Sequence, residues 1–437
     1  EPHGMRAEPT PVVATVVDLT HDGEGVVDVD GRRVFVPGAL PGERVEIALG
    51  KRRRQVQEAV LLRVLEPSPD RVVPGCEYFG RCGGCALQHL EHGAQVRFKQ
   101  EAVKQALARI GHVEPEEWLP AASGPPWNYR RRARLGVKYV AAKDRVLVGF
   151  RERSAPYITD MLRCPVLMPP IDGLLGALAE VVKASSVRTR LPQIEAAVAE
   201  NASALVLRVL DAPTEADRAA FAAFGARHDM DIYLQPGGPA TAAPLAAARV
   251  LTYSLPDFGL ELEFAPTDFV QVNAGMNAEL VATAVRLADV QPRDRVLDLY
   301  CGLGNFSLPL AQRARELTGV EGDAALVARA VKNAGRNGLA NTRFLAADLM
   351  QSDWPFLRDH WDVVMLDPPR TGAEAPIAAL RKTQPRRIVY VSCHPGTLAR
   401  DAATLMSDGA YRLRLVRVFD MFPHTHHVEA VALFERK

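Results

Sequence analysis

Apolar and polar positions change their period several times along the chain, and each change marks a different kind of structure. From Thr10 to Glu66 the apolar residues fall in short runs: Val12–Leu19, Gly25–Val29, Arg33–Val36, Arg44–Leu49 and Gln57–Leu65. Asp22-Gly23, Asp30-Gly31 and Pro41-Gly42 stand between them, dipeptides suited to tight turns. Short strands packed this densely predict a small closed β-barrel of OB type. After Pro67-Ser68-Pro69, a natural linker, the period lengthens. Val96, Val103, Leu107 and Ile110 are spaced as on one face of a helix over Gln95–Ile110. Ile171–Ala184 and Glu215–His228 read as Ala-rich helices and Ala204–Val209 as a strand, so the middle region is mixed α/β.

From Arg295 the alternation becomes regular. Strand-like runs Val296–Tyr300, Leu317–Glu321, Thr342–Ala346, Asp362–Leu366 and Ile388–Ser392 alternate with helical segments. That is the βαβ repeat of a doubly wound, Rossmann-like α/β domain with a parallel sheet. Arg412–Phe419 and Val428–Phe434 follow, with too few residues between them for a parallel crossover. They must form an antiparallel hairpin, completing a seven-stranded sheet and bringing the start of the last strand to the edge where the other strands end. The expected organisation is a barrel over residues 5–68, a mixed α/β domain over 69–268 and the Rossmann-like domain over 269–437. Glu1 to Gly4, ahead of Met5, are left out of this reading.

Composition changes the picture little. Of 437 residues, 48% are hydrophobic and 24% charged, ordinary for a globular protein. No apolar run approaches the roughly 20 residues that span a bilayer, and no signal peptide precedes the first strand. A cytoplasmic protein is expected, and a monomer, since no segment asks for a protein partner. A net charge of +1 gives no global case for nucleic acid. Local patches do: Lys51-Arg52-Arg53-Arg54 on the barrel, and Trp127-Asn128-Tyr129-Arg130-Arg131-Arg132-Ala133-Arg134, where aromatics alternate with arginines as on surfaces that stack unpaired bases.

The six cysteines are unevenly spread. Cys76, Cys82 and Cys85 form a C-x5-C-x2-C cluster, and thiolates this close are more often metal ligands than disulfide partners. Cys164, directly before Pro165, is the candidate fourth ligand. Zinc would accept four thiolates. A Cys-Pro last ligand also recurs in iron–sulfur sites, and the spacing favours a [4Fe–4S] cluster.

The remaining chemistry gathers at predicted strand ends, where open α/β sheets hold ligands. The first leads into Tyr300-Cys301-Gly302-Leu303-Gly304-Asn305-Phe306-Ser307, glycines that let backbone approach a ligand. A dinucleotide fold would want a third glycine near Ser307. Glu321, after the second strand, can accept both hydroxyls of a ribose, and Asp348 follows the third; the set suits S-adenosylmethionine better than a dinucleotide. Asp367-Pro368-Pro369-Arg370 ends the fourth strand, its prolines holding Asp367 at the edge to bond a base. Cys393 ends the fifth and is the candidate nucleophile; Cys301, in the glycine loop, is the weaker one. The hairpin argument brings Glu429 to the same edge as a general base, with His424, His426 and His427 as rivals. Thiolate addition to carbon 6 of uracil would turn carbon 5, a poor nucleophile, into an enolate carbon able to take a methyl group. A base must then remove the carbon-5 proton.

Asp367-Pro368-Pro369-Arg370, Val391-Ser392-Cys393-His394-Pro395 and His427-Val428-Glu429 resemble the RNA (uracil-5)-methyltransferases. The resemblance covers nearly the whole chain: a TRAM barrel (an RNA-binding barrel of RNA-modifying enzymes), a four-cysteine cluster, a central domain and a methyltransferase domain. It implies that Gln271, Tyr300, Asn305, Glu321, Asp348 and Asp367 line the cofactor and base site, with Cys393 as nucleophile and Glu429 as base. The tRNA-specific branch lacks both cluster and barrel, and a second rRNA branch lacks the barrel. Carrying both, this chain resembles the bacterial branch that modifies 23S rRNA. tRNA uracil methylation, or an RNA-binding role in ribosome assembly, are the alternatives. Tyr300 stands where the family commonly has phenylalanine.

Overall fold

Alternating apolar residues in the first strands have one place to go, the inside of a barrel. The computed structural model describes residues 10–53, 55–351 and 353–437; residues 1–9 and Arg54, the last of the basic run, lie outside the described residues. Strands β1 (Val12–Leu19), β2 (Glu24–Val29), β3 (Arg32–Pro37), β4 (Arg44–Arg53) and β5 (Val56–Glu66) close in the order β1-β2-β3-β5-β4. Val16, Val27, Val34, Val36, Val45 and Ile47 fill the interior and are essentially inaccessible. Asp30 and Gly31 take φ of 51° and 76°, the left-handed pair that lets two residues join twisted strands β2 and β3. Lys51 and Arg52 lie within β4, where Arg52 pairs with Gln57.

The chain divides into two compact units. One holds the described residues up to Phe98 with Glu152–Ala155 and Pro423–His426; the other holds those of Lys99–Arg151, Pro156–Phe422 and His427–Lys437. Within the second unit, a short strand β6 (Glu117–Trp118) precedes β7 (Arg132–Val140), β8 (Arg145–Gly149), β9 (Gln193–Val198), β10 (Ser203–Arg208), β11 (Met230–Gln235) and β12 (Ala243–Pro244). The last six make one sheet, β12-β11-β10-β9-β7-β8. Its β10–β11 pair is parallel, joined by helix Glu215–His228, which a Thr214–Asp217 capping box starts. A hairpin of β13 (Leu251–Leu255) and β14 (Leu260–Phe264) follows.

The Rossmann-like sheet contains β15 (Arg295–Leu299), β16 (Glu316–Glu321), β17 (Thr342–Ala346), β18 (Val363–Leu366), β19 (Arg387–Ser392), β20 (Tyr411–Phe419) and β21 (Glu429–Arg436). The first five are mutually parallel, and β21 runs antiparallel between β19 and β20. The expected seven strands are joined by an eighth, giving β17-β16-β15-β18-β19-β21-β20-β6. β6 pairs with β20 through Glu117–Leu415 and Trp118–Val416. It covers backbone groups that an edge strand would leave open. A strand of two residues has no readable period, so the pattern along the chain does not mark it. Central strands are buried on both faces, as their unbroken apolar runs require. No helix among the described residues is long and apolar enough to cross a membrane.

Candidate active site

Register aligns the chemistry. Leu299 pairs with both Val320 and Leu366, and Leu366 with Tyr390, so the residues just beyond these strands share one sheet edge. Ser392 pairs with Ala430 at the end of the antiparallel β19–β21 register, and Cys393 and Glu429 each adjoin that last pair in sequence. A cavity of about 880 Å³ opens there, lined by Gln271, Tyr300, Asn305, Glu321, Asp348, Asp367, Cys393 and Glu429 together.

The β15 loop is shaped by backbone. Tyr300, Gly302 and Gly304 take φ of 59°, 56° and 104°. For a tyrosine that conformation costs on the order of 1–2 kcal/mol. The N–H of Gly302 donates to Glu321 Oε1 at 3.3 Å, and that of Asp323 to Glu321 Oε2 at 2.7 Å. Asp348 Oδ1 accepts from the Met350 N–H at 2.9 Å. Below the loop, Asp298 is fully buried; Ser307 donates to its Oδ2 at 2.5 Å, and its Oδ1 has no hydrogen-bond partner among the described residues. Burial pushes its carboxyl up to about 7 against the Ser307 bond.

The reactive edge is acidic, with Asp367 and Cys393 half-buried and Glu429 buried. Burial, then Asp298 and Glu321, push the Asp367 carboxyl up to about 8. Glu429 is 3% exposed, and burial followed by the neighbouring Asp367 raises it well above the carboxylate range. The Cys393 thiol is pushed up to about 12, first by burial, then by Glu429 and Asp367, while Arg370 pulls it down. A thiol next to a carboxyl group, with a second carboxyl beside them, can exchange protons with a substrate held between.

The expected rivals lie differently. Cys301 is 3% exposed, its thiol raised well above normal by burial, and it packs against Gly319. Of the histidines, His427 lines the cavity against the Phe422 ring at 5.4 Å. In the first unit, the ring of His424 is buried against Gln95 and that of His426 lies 3.9 Å from Asp22.

Within the basic run, Arg131 is buried rather than on a surface, while Asn128 and Arg134 are exposed. Arg131 is 3% exposed: its guanidinium stacks on Tyr253 at 4.7 Å and its Nε donates to the Gln271 carbonyl at 2.7 Å. Arg132 and Arg134 pair with Glu195 at 3.3 and 3.0 Å. Arg130 alone of the run lines the cavity.

Several contributors had no legible signal. Tyr253 donates to Asn305 Oδ1 at 2.9 Å, and Asn305 exchanges hydrogen bonds with Asn277 at 2.8 and 3.0 Å, fixing the loop residue expected to meet the cofactor. Lys99, inaccessible, donates to Asp420 at 2.6 Å and to the Phe422 carbonyl at 2.9 Å, anchoring the segment that leads toward Glu429. Their partners are tens to hundreds of residues away, so no local pattern announces them.

Of the cysteine cluster, Cys82 and Cys164 are buried and Cys76 and Cys85 half-buried. The Cys82 sulfur accepts from the Gly84 N–H at 3.4 Å. No group of three or more His, Cys, Asp or Glu among the described residues is arranged to hold a metal ion.

The sequence profile described as tRNA (Uracil-5-)-methyltransferase matches residues 252–437. The profile of the TRAM domain of tRNA (uracil(54)-C(5))-methyltransferase matches residues 12–69. The chain is 47% identical, over 98% of its length and 97% of the relative's, to the 23S rRNA (uracil(1939)-C(5))-methyltransferase RlmD of Methylococcus capsulatus. It is 47% identical to RlmD of Xanthomonas axonopodis pv. citri over 99% of both. Among solved structures, the Pyrococcus abyssi tRNA (uracil-54, C5)-methyltransferase in complex with S-adenosyl-L-homocysteine superposes with a TM-score of 0.74. It has 25% identity and covers 97% of this chain and 100% of its own.

Proposed function

The chain belongs to the RNA (uracil-5)-methyltransferase family, and we propose that it transfers the methyl group of S-adenosylmethionine to carbon 5 of a uridine in 23S rRNA, of the uracil(1939) type. Relatives along the full length carry that activity in their names, which favours rRNA over tRNA. The observation that carries the mechanism is that Cys393 and Glu429, adjoining the last β19–β21 pair, line one cavity with Asp367.

The residues present fit the cofactor. Glu321 keeps lone pairs for ribose hydroxyls, the left-handed Gly302 and Gly304 expose backbone, and the Glu321 and Asp348 side chains of the cavity lining favour a cationic ligand. When bound, S-adenosylmethionine supplies the electrophilic methyl group. Asp367 hydrogen-bonds the base. Cys393 passes its proton to water as its sulfur bonds carbon 6, and the electron pair of the carbon 5–carbon 6 double bond moves onto the ring as an enolate. After carbon 5 is methylated, Glu429, acting from its carboxylate form once its own proton has gone to solvent, takes the carbon-5 proton, the double bond re-forms and the sulfur leaves. Because the Cys393 thiol is raised, it is protonated in the free protein.

Cys76, Cys82 and Cys85, with Cys164, are read as the ligands of a [4Fe–4S] cluster on the strength of their spacing. Among the described residues, no group of three or more His, Cys, Asp or Glu is arranged to hold a metal ion. The protein is expected to act as a monomer in the cytoplasm, where its RNA substrate lies.

The decisive experiment supplies labelled S-adenosylmethionine with 23S rRNA lacking the methyl group, and tRNA in parallel. Label in one rRNA uridine, lost in Cys393→Ala while cofactor binding persists, is the expected result. Label in tRNA alone, or full activity in Cys393→Ala, refutes the reading.

A further inference from the structure

Away from the cavity lining, one buried carboxylate ties two of the cavity's walls together. Asp401 lies on helix Pro395–Met406, which starts two residues after Cys393, and is 1% exposed. Its Oδ2 accepts from the Tyr390 hydroxyl at 2.6 Å and from the Ala373 N–H at 2.8 Å. Its Oδ1 accepts from Arg400 Nη2 at 3.1 Å and Nε at 3.3 Å.

The same helix holds the chain that leaves Asp367. Arg400 Nη2 donates to the Thr371 carbonyl at 2.9 Å, and Thr397 Oγ1 to the Arg370 carbonyl at 3.0 Å. Between these ties Gly372, at φ 80°, has no room for a side chain: a Cβ would lie 2.5 Å from Arg400 Nη2 and 2.8 Å from Asp401 Oδ2. Arg370 through Ala373 are thus fixed residue by residue to the helix after Cys393. Tyr390, three residues before Cys393, is fixed to the same carboxylate. Pro368 and Pro369 transmit that constraint to Asp367, because their φ angles cannot relax.

Ile377, Leu398 and Ala402, all inaccessible, belong to the same core, where a charged group is costly unless fully bonded. An apolar residue would fill the space but leave the Tyr390 hydroxyl, the Ala373 N–H and the Arg400 guanidinium unanswered. We infer that Asp401 is a positioning residue, setting the distance between the segment Asp367–Arg370, which holds the base, and the attacking sulfur of Cys393. The inference rests on the uracil-methylation reading above.

The test uses full-length protein, S-adenosylmethionine and an rRNA fragment carrying 5-fluorouridine at the target. Fluorine at carbon 5 cannot be removed as a proton, so the covalent adduct accumulates and its rate of appearance reports the addition step. Asp401→Asn keeps an oxygen for Tyr390 and Ala373 but turns its amide N–H groups toward Arg400. Adduct formation should slow by about 10- to 100-fold, the usual cost of misplacing reacting groups by around an ångström. Cofactor and RNA dissociation constants should stay within about twofold. Adding Arg400→Met, which removes the clash, should recover much of the lost rate. A role confined to stability would lower the melting temperature yet leave the adduct rate unchanged well below it, and that result overturns the inference. Should Asp401→Asn not fold, Tyr390→Phe and Thr397→Val each remove one tie; unchanged adduct rates in both also overturn it. No adduct with the unsubstituted protein overturns the underlying methylation reading instead.

Discussion

Treated with an aromatic disulfide, Cys393 should react far more slowly than an open cysteine, although it lies at the wall of a cavity of about 880 Å³. Burial first, then Glu429 and Asp367, push its thiol from 9.0 up to about 12. At pH 8 about one molecule in ten thousand would carry the thiolate, against about one in ten for an ordinary cysteine, a deficit of roughly 10³-fold. A more basic thiolate is also the better nucleophile, and a Brønsted slope of about 0.4–0.5 returns some 16- to 32-fold. The net expectation is labelling about 30- to 60-fold slower than in a short peptide of the same local sequence. Mass spectrometry of the Cys393 peptide across pH 7–10 separates this cause from simple obstruction. A raised thiol gives a logarithmic rate that climbs with unit slope and no plateau, whereas an obstructed ordinary thiol is slow but levels off near pH 9. A plateau there would refute the electrostatic account. Glu429→Gln should speed labelling only several-fold, because burial outweighs the charge.

Three other outcomes follow from the same geometry. Glu429→Gln should leave addition intact but block proton removal, so a covalent protein–RNA band persists on a denaturing gel while turnover falls by about 10²–10⁴-fold; if no band appears, Glu429 is not the base. Asp367 carries a folded-state carboxyl raised from 3.8 to about 8, so its stabilising balance is fully present below 3.8 and lost as pH rises through 8. Asp367→Asn should therefore raise the melting temperature relative to the unsubstituted protein by roughly 2–4 °C or more at pH 8.5 and little at pH 4, while slowing methyl transfer; an equal shift at both pH values would sink that account. Protein purified without air should be brown and contain about four irons, and stoichiometric zinc would reject the iron–sulfur assignment.

Much of this protein was determined by the order of its residues alone. Turn dipeptides and alternating valines are local causes, and they make β1 to β5 wherever the chain goes. The regular βα alternation from Arg295 forces a parallel sheet, and the short connection between Arg412–Phe419 and Val428–Phe434 forces their hairpin. The proximity of Glu429 and Cys393 was therefore legible: antiparallel pairing leaves the first residue of β21 no other edge to occupy.

What tertiary structure decided is which polar groups face solvent and which face one another. Period along the chain shows neither, because a strand's alternation assigns sides without saying what covers them. Arg131 and Arg132 read as a basic surface, yet a ring at 251–255 and a carboxylate on β9 cover them. β6 carries no period at all and exists because β20 would otherwise end the sheet unpaired. The elevated acids belong here too: Asp298, Asp367 and Glu429 are ordinary carboxylates in sequence, and burial, with a neighbouring carboxylate beside each, raises them. Asp401 is the clearest case, a lone acid in an amphipathic helix whose four donors come from three separate segments. Residue types fix which bonds can form; the fold alone fixes which groups lie within the 3 Å or so at which hydrogen bonds act.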